Sequence, residues 1–315
     1  MRAAVHYEYG DTDLVQIVEL PIPFPGPEEC LVRVQAASIN PADWKYLEGR
    51  WRPFTGNSFP RQLGADFSGT VVSSGTRVVD FSPGDPVLGS VNPFKTGTLA
   101  EYVVVSAKNI CKKPDSLDFA EAAAIPIAAV TAYIGLNTRG SNLDGENVLV
   151  TGSGGGVGHI GVQLAKHFGA RVTAVCSKEK GDFCLGIGAD VVIDYTSENI
   201  KLKREKFDVI LDCASTYSFR EARAQLRRGG ELLVLEIHGN LLLFVASFLS
   251  QRLQKRKMRT YVAGPNGIRT ADVAKLFADE SVKMTVSRRF PLESVSAALG
   301  LLKAGHALGK LIIEP

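Results

Sequence analysis

A glycine-rich loop between an apolar strand and an amphipathic helix constrains the fold of this 315-residue chain more than any other feature. The loop reads TGSGGGVGHIG over residues 151–161; the run NVLV precedes it and the helical pattern GHIGVQLAKHFGA begins within it. Glycines at such a junction let the backbone approach a pyrophosphate, and the helix N-terminus adds free N–H groups and its positive dipole end. A tight structural turn is the alternative. The predicted cofactor-binding residues are Gly152, Gly155, Gly156, Val157 and Gly158.

The end of the second apolar run, ARVTAVCS, discriminates between the two nicotinamide dinucleotides. An NAD site usually carries Asp or Glu there, where the carboxylate holds the ribose hydroxyls. This run ends instead in Ser177, Lys178, Glu179 and Lys180. Charge-assisted contacts from lysines suit a ribose 2′-phosphate, so we predict NADPH bound by Ser177, Lys178 and Lys180. The alternative is a solvated Lys/Glu turn.

The hydrophobic pattern divides the chain into three parts. Residues 1–119 contain short apolar runs separated by Pro and Gly clusters, which is typical of a barrel-like β domain. Residues 120–264 contain nearly continuous apolar runs that alternate with helical stretches, which predicts a doubly wound parallel α/β domain. Residues 265–315 contain one helix and a closing strand, which we expect to return to the β domain.

Charge, cysteine usage and the N-terminus exclude several classes of protein. A net charge of +3 without an arginine-rich motif argues against nucleic acid as a partner. The first residues read as a strand rather than as a signal or transit segment. Five scattered cysteines without a CxxC pair indicate buried thiols in a reducing compartment. The sequence therefore predicts a soluble cytoplasmic protein.

The glycine loop also fits the TGxxxGxG pattern of short-chain dehydrogenases. Those enzymes use a Tyr followed four residues later by a Lys, and this chain contains no YxxxK. Their nucleotide domain also begins at the N-terminus rather than after about 120 residues of β structure. We therefore set this interpretation aside.

Several motifs together resemble the medium-chain dehydrogenase/reductase superfamily. They are GADFSG (64–69), SGGGVG (153–158) and GKLIIEP (309–315), and they follow a β-rich N-terminal part. The branch is similar to the zinc-independent quinone oxidoreductases; NPADWK (40–45) and GHALGKLIIEP look most like chloroplast-envelope quinone oxidoreductase homologues and alkenal/enone reductases. The resemblance implies a GroES-like catalytic domain over 1–119, completed by 265–315, a Rossmann domain over 120–264, and a homodimer.

The same resemblance predicts that no metal is bound. Zinc-dependent relatives carry a catalytic Cys near the position of Asn40 and a His in a GHE motif, where this chain has Ala65 in GAD. Zinc prefers thiolate and imidazole ligands, and the structural-zinc loop of four cysteines is also missing. Without this Lewis acid, alcohol oxidation is disfavoured. The reaction that does not need a metal is hydride transfer to an activated acceptor, such as a quinone or an α,β-unsaturated carbonyl compound.

The resemblance also assigns candidate catalytic and substrate residues. Asn40 matches an Asn that lines the nicotinamide pocket and would donate a hydrogen bond to a developing enolate. Lys45 is the candidate acid or electrostatic stabiliser, and Thr131 matches a Thr that approaches the nicotinamide. Trp51 falls where relatives often have a tyrosine, so stacking on a flat substrate replaces proton transfer there. Asp43 would fix its own loop beside the substrate pocket.

The remaining candidate residues are cofactor contacts. Tyr195 falls where relatives place a tyrosine beside the adenosine phosphate. Cys213 and Ala214 follow a buried strand and would flank the ribose and nicotinamide, since ligands bind at the carboxyl ends of parallel strands. Lys310 is a further candidate cofactor contact; an exposed lysine before a final strand is the alternative.

One segment, residues 241–259, joins an apolar block to a basic end, LLLFVASFLSQRLQKRKMR. It predicts either a helix over the substrate cleft or at an oligomer contact, or an anchor on a membrane surface with the basic residues on anionic headgroups.

The sequence thus predicts an NADPH-dependent, zinc-independent reductase that acts on a small-molecule quinone, enone or alkenal. Two alternatives stay open. One is an NADPH-binding sensor or scaffold protein with little turnover, and the other is an enoyl-thioester reductase in which residues 252–259 contact the carrier phosphate.

Overall fold

The computed structural model describes residues 1–202, 205–235, 257–260, 263–305 and 307–315. The strands in chain order are β1 (Arg2–His6), β2 (Gln16–Glu19), β3 (Glu29–Ser38), β4 (Arg61–Gln62), β5 (Asp66–Ser74), β6 (Pro86–Ser90), β7 (Tyr102–Ser106), β8 (Ile110–Lys112), β9 (Asn147–Thr151), β10 (Arg171–Cys176), β11 (Val191–Asp194), β12 (Phe207–Asp212), β13 (Leu226–Val234), β14 (Lys257–Thr260), β15 (Val286–Pro291) and β16 (Lys310–Glu314).

The helices connect or cover these strands. The α-helices in chain order are α1 (Pro41–Leu47), α2 (Arg52–Thr55), α3 (Phe119–Ala123), α4 (Val130–Leu136), α5 (Gly158–His167), α6 (Gly181–Gly186), α7 (Phe219–Gln225), α8 (Gly267–Ala278) and α9 (Val295–Lys303). A π-helical turn, Ile125–Ala129, leads into α4.

The chain forms two compact units. One contains Met1–Val130 together with Gly264–Pro315, and the other is Thr131–Ala263. The sequence places the first boundary after residue 119, whereas the structure has it after Val130. The reason is that α3 packs on β3 and β5, where Ala120, Ala123 and Ala124 bury their methyl groups against Ala36 and Ile312, so this helix belongs to the β-rich unit.

The β-rich unit is built around a seven-stranded sheet. Its order is β15-β16-β3-β5-β6-β8, and β7 also pairs with β3. A second sheet has the order β2-β1-β4. The C-terminal strand β16 pairs antiparallel with the end of β3, where Ile312 lies opposite Ser38. This pairing brings residues from both ends of the chain to the start of β5.

The second unit is a six-stranded, fully parallel sheet with the order β11-β10-β9-β12-β13-β14. Its central strands are almost entirely buried, which explains their continuous apolar runs. The strand order reverses between β9 and β12, so loops at the carboxyl ends of these two strands border the position where doubly wound sheets bind ligands. The predicted α/β fold class with a doubly wound sheet is confirmed.

Helix α5 packs closely on this sheet because it has a glycine at the contact. A Cβ atom built on Gly161 would lie 2.6 Å from Cδ2 of Leu211, a distance that side chains do not tolerate. Ile160, Leu164 and Ala165 bury the same helix in the core. This close packing fixes the N-terminus of α5 next to the carboxyl end of β9.

Residues 257–259, at the end of segment 241–259, are not helical. Lys257 and Arg259 lie in strand β14, which pairs parallel with β13, and Nε of Arg259 lies 3.2 Å from Oε2 of the buried Glu231. The expectation of a helix or amphipathic anchor is therefore wrong for residues 257–259; residues 241–256 lie outside the described part. Among the described helices, none is long and apolar enough to cross a membrane.

Candidate functional site

The glycine loop is wound tightly between β9 and α5. Gly152 has a φ of +59°, and a Cβ on Gly158 would lie only 2.1 Å from the carbonyl oxygen of Gly152. The ring of His159 is buried and bonds through Nδ1 to the carbonyl oxygen of Gly155 at 2.8 Å. His159 is therefore packed at the helix start, and the loop backbone stays free of side chains where α5 begins.

A buried serine supports this loop from beneath. The hydroxyl of Ser153 donates to the carbonyl oxygen of Val150 at 2.7 Å and accepts from the backbone N–H of Val175 at 2.9 Å. The bonds tie the loop to both β9 and β10. The sequence assigned no role to Ser153, because a serine among glycines looks like an ordinary loop residue.

The loop after β12 is fixed to the glycine loop by Asp212. Oδ1 of this fully buried carboxylate accepts from the Thr151 hydroxyl at 2.6 Å, and its two oxygens accept from the backbone N–H groups of Thr216 and Tyr217, both at 2.9 Å. The Thr151 hydroxyl in turn accepts from the backbone N–H of Ala214 at 3.2 Å. The network holds Ser215 at a φ of +53°.

These bonds bring Ala214 to the glycine loop, since a Cβ on Gly152 would lie 3.3 Å from Cβ of Ala214. Cys213 is half-buried in the same loop. The sequence pattern did not point to a role for Thr151 or Asp212. A carboxylate that ends a buried apolar strand at the carboxyl edge of a parallel sheet is the signal that could have identified Asp212.

The predicted phosphate-binding lysines lie beside the glycine loop. Ser177 is the N-cap of a 3-10 turn, Lys178–Lys180, directly after β10. The side chain of Lys180 lies along the loop, because a Cβ on Gly154 would be 2.7 Å from its Cδ. Tyr195 follows β11 at the same edge of the sheet and is 60% exposed. The structure thus brings the predicted cofactor residues of this unit together.

Lys178 contributes to the electrostatics of this edge. Hydrogen bonds from Thr196 hold the pKa of Asp194 below its usual value, and the positive charge of Lys178 adds to this effect. The edge therefore combines an ionised carboxylate at the end of β11 with two lysines after β10.

Thr131 is the first residue of the same unit. It lies in the first turn of α4 and is 5% exposed. The π-helical turn that precedes it, Ile125–Ala129, is a rare element that often occurs at functional sites.

The β-rich unit contains a buried polar cluster that begins at helix α1. Asn40 is the N-cap of this helix and Pro41 its first residue, a position where the missing N–H costs nothing. The backbone N–H of Asn40 donates to Oδ2 of Asp43 at 2.6 Å. Asp43 therefore fixes its own turn, which is the role that the sequence predicts for it.

The side chain of Asn40 is held at both ends. Its Nδ2 donates to Oδ2 of Asp66 at 2.8 Å, and its Oδ1 accepts from Nζ of Lys310 at 2.7 Å. Lys310 also donates to the carbonyl oxygen of Ile39 at 3.0 Å. The three side chains are each at most 5% exposed. We name Asn40, Asp43, Asp66 and Lys310 the buried cluster.

For two residues of the buried cluster, Lys310 and Asp66, the structure adds what the sequence did not predict. The sequence predicts Lys310 as a cofactor contact or an exposed lysine; it is neither exposed nor free, because its ammonium group bonds to the start of α1. Asp66 had no assigned role. A carboxylate at the first position of an otherwise apolar strand, DFSG, is the signal that could have identified it.

Burial dominates the electrostatics of this cluster. It raises the pKa of Asp66 to about 7 and that of Asp43 to about 6, while the nearby Lys310 opposes both shifts. Burial lowers the pKa of Lys310, and the two carboxylates oppose that shift in turn. The hydrogen bond from Asn40 favours ionised Asp66, whereas the charge of Asp43 disfavours it.

Lys45 is buried on α1 and not on the surface. It is 7% exposed, and its Nζ lies 5.2 Å from the centroid of the Trp44 ring. A lysine held in this way keeps its ammonium close to the protein rather than in bulk water.

An aromatic group lies next to α1 in the same unit. Trp51 is half-buried, its ring centroid is 6.3 Å from that of Phe94, and Tyr46 lies 5.6 Å from Phe94. Nη1 of Arg61 donates to the Tyr46 hydroxyl at 3.1 Å. Tyr46, Arg61 and Phe94 line a cavity of about 680 Å³, a volume in the usual range for small-molecule sites. Of this group, the sequence predicted Trp51 as a substrate contact.

Comparison with known proteins identifies the relatives of this chain. Residues 26–115 match the alcohol dehydrogenase GroES-like domain model, and residues 187–313 match the model described as zinc-binding dehydrogenase. A chloroplastic quinone oxidoreductase, QR1, of Triphysaria versicolor is 34% identical over 100% of this chain and 98% of that protein. A chloroplastic NADPH-dependent alkenal/one oxidoreductase of Arabidopsis thaliana is 32% identical over 100% of this chain and 80% of that protein. The quinone oxidoreductase structure from Coxiella burnetii superimposes with a TM-score of 0.91 at 29% identity, and covers 100% of this chain and 99% of the other.

Proposed function

We propose that this chain is an NADPH-dependent, zinc-independent reductase of quinones or α,β-unsaturated carbonyl compounds. The basis is that the chain belongs to the quinone oxidoreductase branch of the medium-chain dehydrogenase/reductase family. Relatives of this chain carry the names NAD(P)H oxidoreductase and NADPH-dependent alkenal/one oxidoreductase, so reduction with a nicotinamide cofactor is the premise.

The observation that carries the proposal is the glycine loop with Lys180 against it. A side chain at position 158 is excluded by the 2.1 Å approach to the carbonyl oxygen of Gly152, so backbone N–H groups at the start of α5 can meet a pyrophosphate. Ser177, Lys178 and Lys180 suit a 2′-phosphate, and no carboxylate ends β10. Tyr195, Cys213 and Ala214 are proposed as the remaining contacts, with Thr131 at the nicotinamide.

The residues at the positions of the zinc ligands support a metal-free reaction. Asn40 offers an amide, Ala65 offers no donor atom, and neither is a zinc ligand. The ammonium group of Lys310 bonds to Asn40 and provides a positive charge beside Asp66 and Asp43. A cationic side chain therefore already balances the carboxylates of the buried cluster.

The acceptor would be a conjugated carbonyl compound. The bound cofactor supplies the hydride; the protein must hold the acceptor, donate a hydrogen bond to its carbonyl oxygen and provide a proton. Asn40 is the proposed donor, and Lys45 the proposed electrostatic stabiliser or acid. Trp51 and its aromatic neighbours would contact a flat acceptor.

The proposal extends to assembly and location. We infer a homodimer from the family resemblance. We also infer a cytoplasmic location, because the five cysteines are free thiols, as is typical of a reducing compartment. Peripheral contact with a membrane through residues 241–256 rests on sequence alone.

Consumption of NADPH with a panel of acceptors tests the proposed function. The panel contains a quinone, a medium-chain 2-alkenal, an aryl enone and crotonyl-CoA, each measured with NADPH and with NADH. We expect turnover with NADPH on the quinone or an enone, and a kcat about 100-fold lower in Asn40→Ala. Turnover only with crotonyl-CoA would replace the proposal by the enoyl-thioester reductase, and NADPH binding without any turnover would replace it by the sensor.

A further inference from the structure

We propose that Lys310 and Asp66 are positioning residues that lock the amide of Asn40 in one orientation, so that its second Nδ2 hydrogen is presented to the acceptor's carbonyl oxygen. This inference rests on the proposed function, in which Asn40 is the donor. It adds two residues, one of them 270 positions away in sequence, to the set on which catalysis depends.

The orientation follows from the chemistry of the two partners. An ammonium group can only donate hydrogen bonds, and an ionised carboxylate can only accept them. The rotated amide would therefore bring Nδ2 to within 2.7 Å of the Lys310 ammonium and Oδ1 to within 2.8 Å of the Asp66 carboxylate. Both contacts would be repulsive in a buried site, so only the observed orientation is allowed.

The hydrogen bonds of Asn40 leave one donor available. Its Nδ2 carries two hydrogens, of which Asp66 accepts one, and Oδ1 is engaged by Lys310. Across the described residues, nothing accepts the second hydrogen. A nearly buried donor without an acceptor is costly, and the cost disappears when a ligand oxygen binds there.

The lysine fixes the backbone as well as the amide. Nζ of Lys310 bonds to the carbonyl oxygen of Ile39, the residue immediately before Asn40. The Asn40 N–H is bound by Asp43. The main chain and the side chain of Asn40 are thus both held before any ligand arrives, which is what an effective hydrogen-bond donor to a developing oxyanion requires.

A variant without the lysine tests the role of the clamp. Lys310→Met removes the ammonium but keeps much of the side chain's volume, and we expect kcat to fall about 100-fold while the dissociation constant of NADPH stays unchanged. Lys310→Arg, which retains the charge and the donors, should recover part of the loss. An unchanged kcat in Lys310→Met would overturn the proposal.

The pH profile supplies a readout that a purely structural lysine would not move. The charged and titratable groups of the cluster are Asp43, Asp66 and Lys310. Because Lys310 opposes the upward shift of the Asp66 pKa, its removal should move the acid limb of the kcat profile to higher pH. An acid limb at the same pH in Lys310→Met and wild type would contradict the role of Asp66.

If Lys310→Met does not fold, the double variant Lys310→Met/Asp66→Asn replaces it, since it removes the ammonium of Lys310 together with the carboxylate of Asp66. It too should have a low kcat with normal NADPH binding. Wild-type kcat in this variant would overturn the proposal.

An exchange of two residues separates the clamp from the donor. In Asn40→Asp/Asp66→Asn the number of charges is unchanged, Lys310 can bond to the new carboxylate, and the new amide can donate to it. Only the second N–H is lost, so we expect a folded protein that binds NADPH and has a kcat about 100- to 1000-fold lower. Full activity would show that Asn40 is not the donor, which refutes the proposed role directly and independently of the lysine variants.

Discussion

Nζ of Lys310 lies 2.7 Å from Oδ1 of Asn40, although 270 residues separate them in the chain. The contact exists because β16 pairs with the end of β3, which brings the first residue of the last strand to the residue that caps α1. It connects the N-terminal and C-terminal segments of the β-rich unit by a buried, charged hydrogen bond.

The buried charges predict that removing Lys310 alone strongly destabilises the fold, and that removing Asp66 as well restores part of the stability. Removing one member of a buried ion pair leaves the other charge without compensation, so Lys310→Met should lower the free energy of unfolding by about 3–5 kcal/mol. Lys310→Met/Asp66→Asn should regain part of this loss. Urea denaturation measures both. The control is Lys303→Met, which removes a lysine from partly exposed ion pairs with Asp11 and Glu48, and its expected change is at most about 1 kcal/mol. Equal losses of unfolding free energy in Lys310→Met and Lys303→Met would contradict this account.

The link between Thr151 and Asp212 predicts an effect on cofactor affinity. Thr151→Val keeps the shape of the side chain but removes the hydroxyl that joins Asp212 to the backbone N–H of Ala214. The loop after β12 should then lose its fixed place beside the glycine loop, and the dissociation constant of NADPH should rise about tenfold. Fluorescence titration with NADPH measures it.

Thr173→Val is the matched control for that experiment, because Thr173 is buried in the adjacent strand β10, away from the loops. Its NADPH affinity should equal that of the wild type. A tenfold loss in the control would mean that any threonine of this sheet has the same effect.

The lysines after β10 predict a preference for NADPH that depends on salt. Lys178→Ala/Lys180→Ala should raise the KM for NADPH about 10- to 100-fold and leave the KM for NADH almost unchanged, because only NADPH carries the 2′-phosphate. Added salt should weaken NADPH binding to the wild type more than to the variant.

Lys201→Ala, a change in a half-exposed lysine paired with Glu221, provides the control and should leave both constants unchanged. Parallel increases for NADPH and NADH in the double variant would argue against a 2′-phosphate site.

The raised pKa values of the buried carboxyls predict how stability depends on pH. The pKa is raised to about 7 for Asp66 and to about 6 for Asp43. Both carboxyls therefore keep their protons in the folded protein at pH values where an Asp of the unfolded chain, with the ordinary pKa of 3.8, has lost its proton. The unfolded state therefore binds fewer protons between about pH 4 and 7, and the contribution of these groups to the free energy of unfolding falls as the pH rises through that range.

The variant Asp66→Asn isolates the larger of the two contributions. The difference in the free energy of unfolding, variant minus wild type, should increase from about pH 4 to about pH 7 and be constant above it. Urea denaturation at a series of pH values gives this difference. A difference that does not change with pH would mean that Asp66 titrates alike in the folded and unfolded chains.

The sequence by itself determined the doubly wound sheet and its glycine loop. Consecutive apolar residues require strands that are buried on both faces, and a helix that starts among glycines requires a tight turn; both are local constraints. The same local logic identified Ser177, Lys178 and Lys180 as the polar end of β10.

Only the tertiary structure decided which polar groups meet. Whether Lys310 is exposed or buried depends on the pairing of β16 with β3, and the contact of Asp66 with Asn40 depends on the register of β5 beside the same strand. Thr151 and Asp212 likewise meet only because β9 and β12 are neighbours in the sheet. Burial then sets the charges of these groups, because a carboxyl or an ammonium removed from water is stabilised only by the partners that the fold places around it.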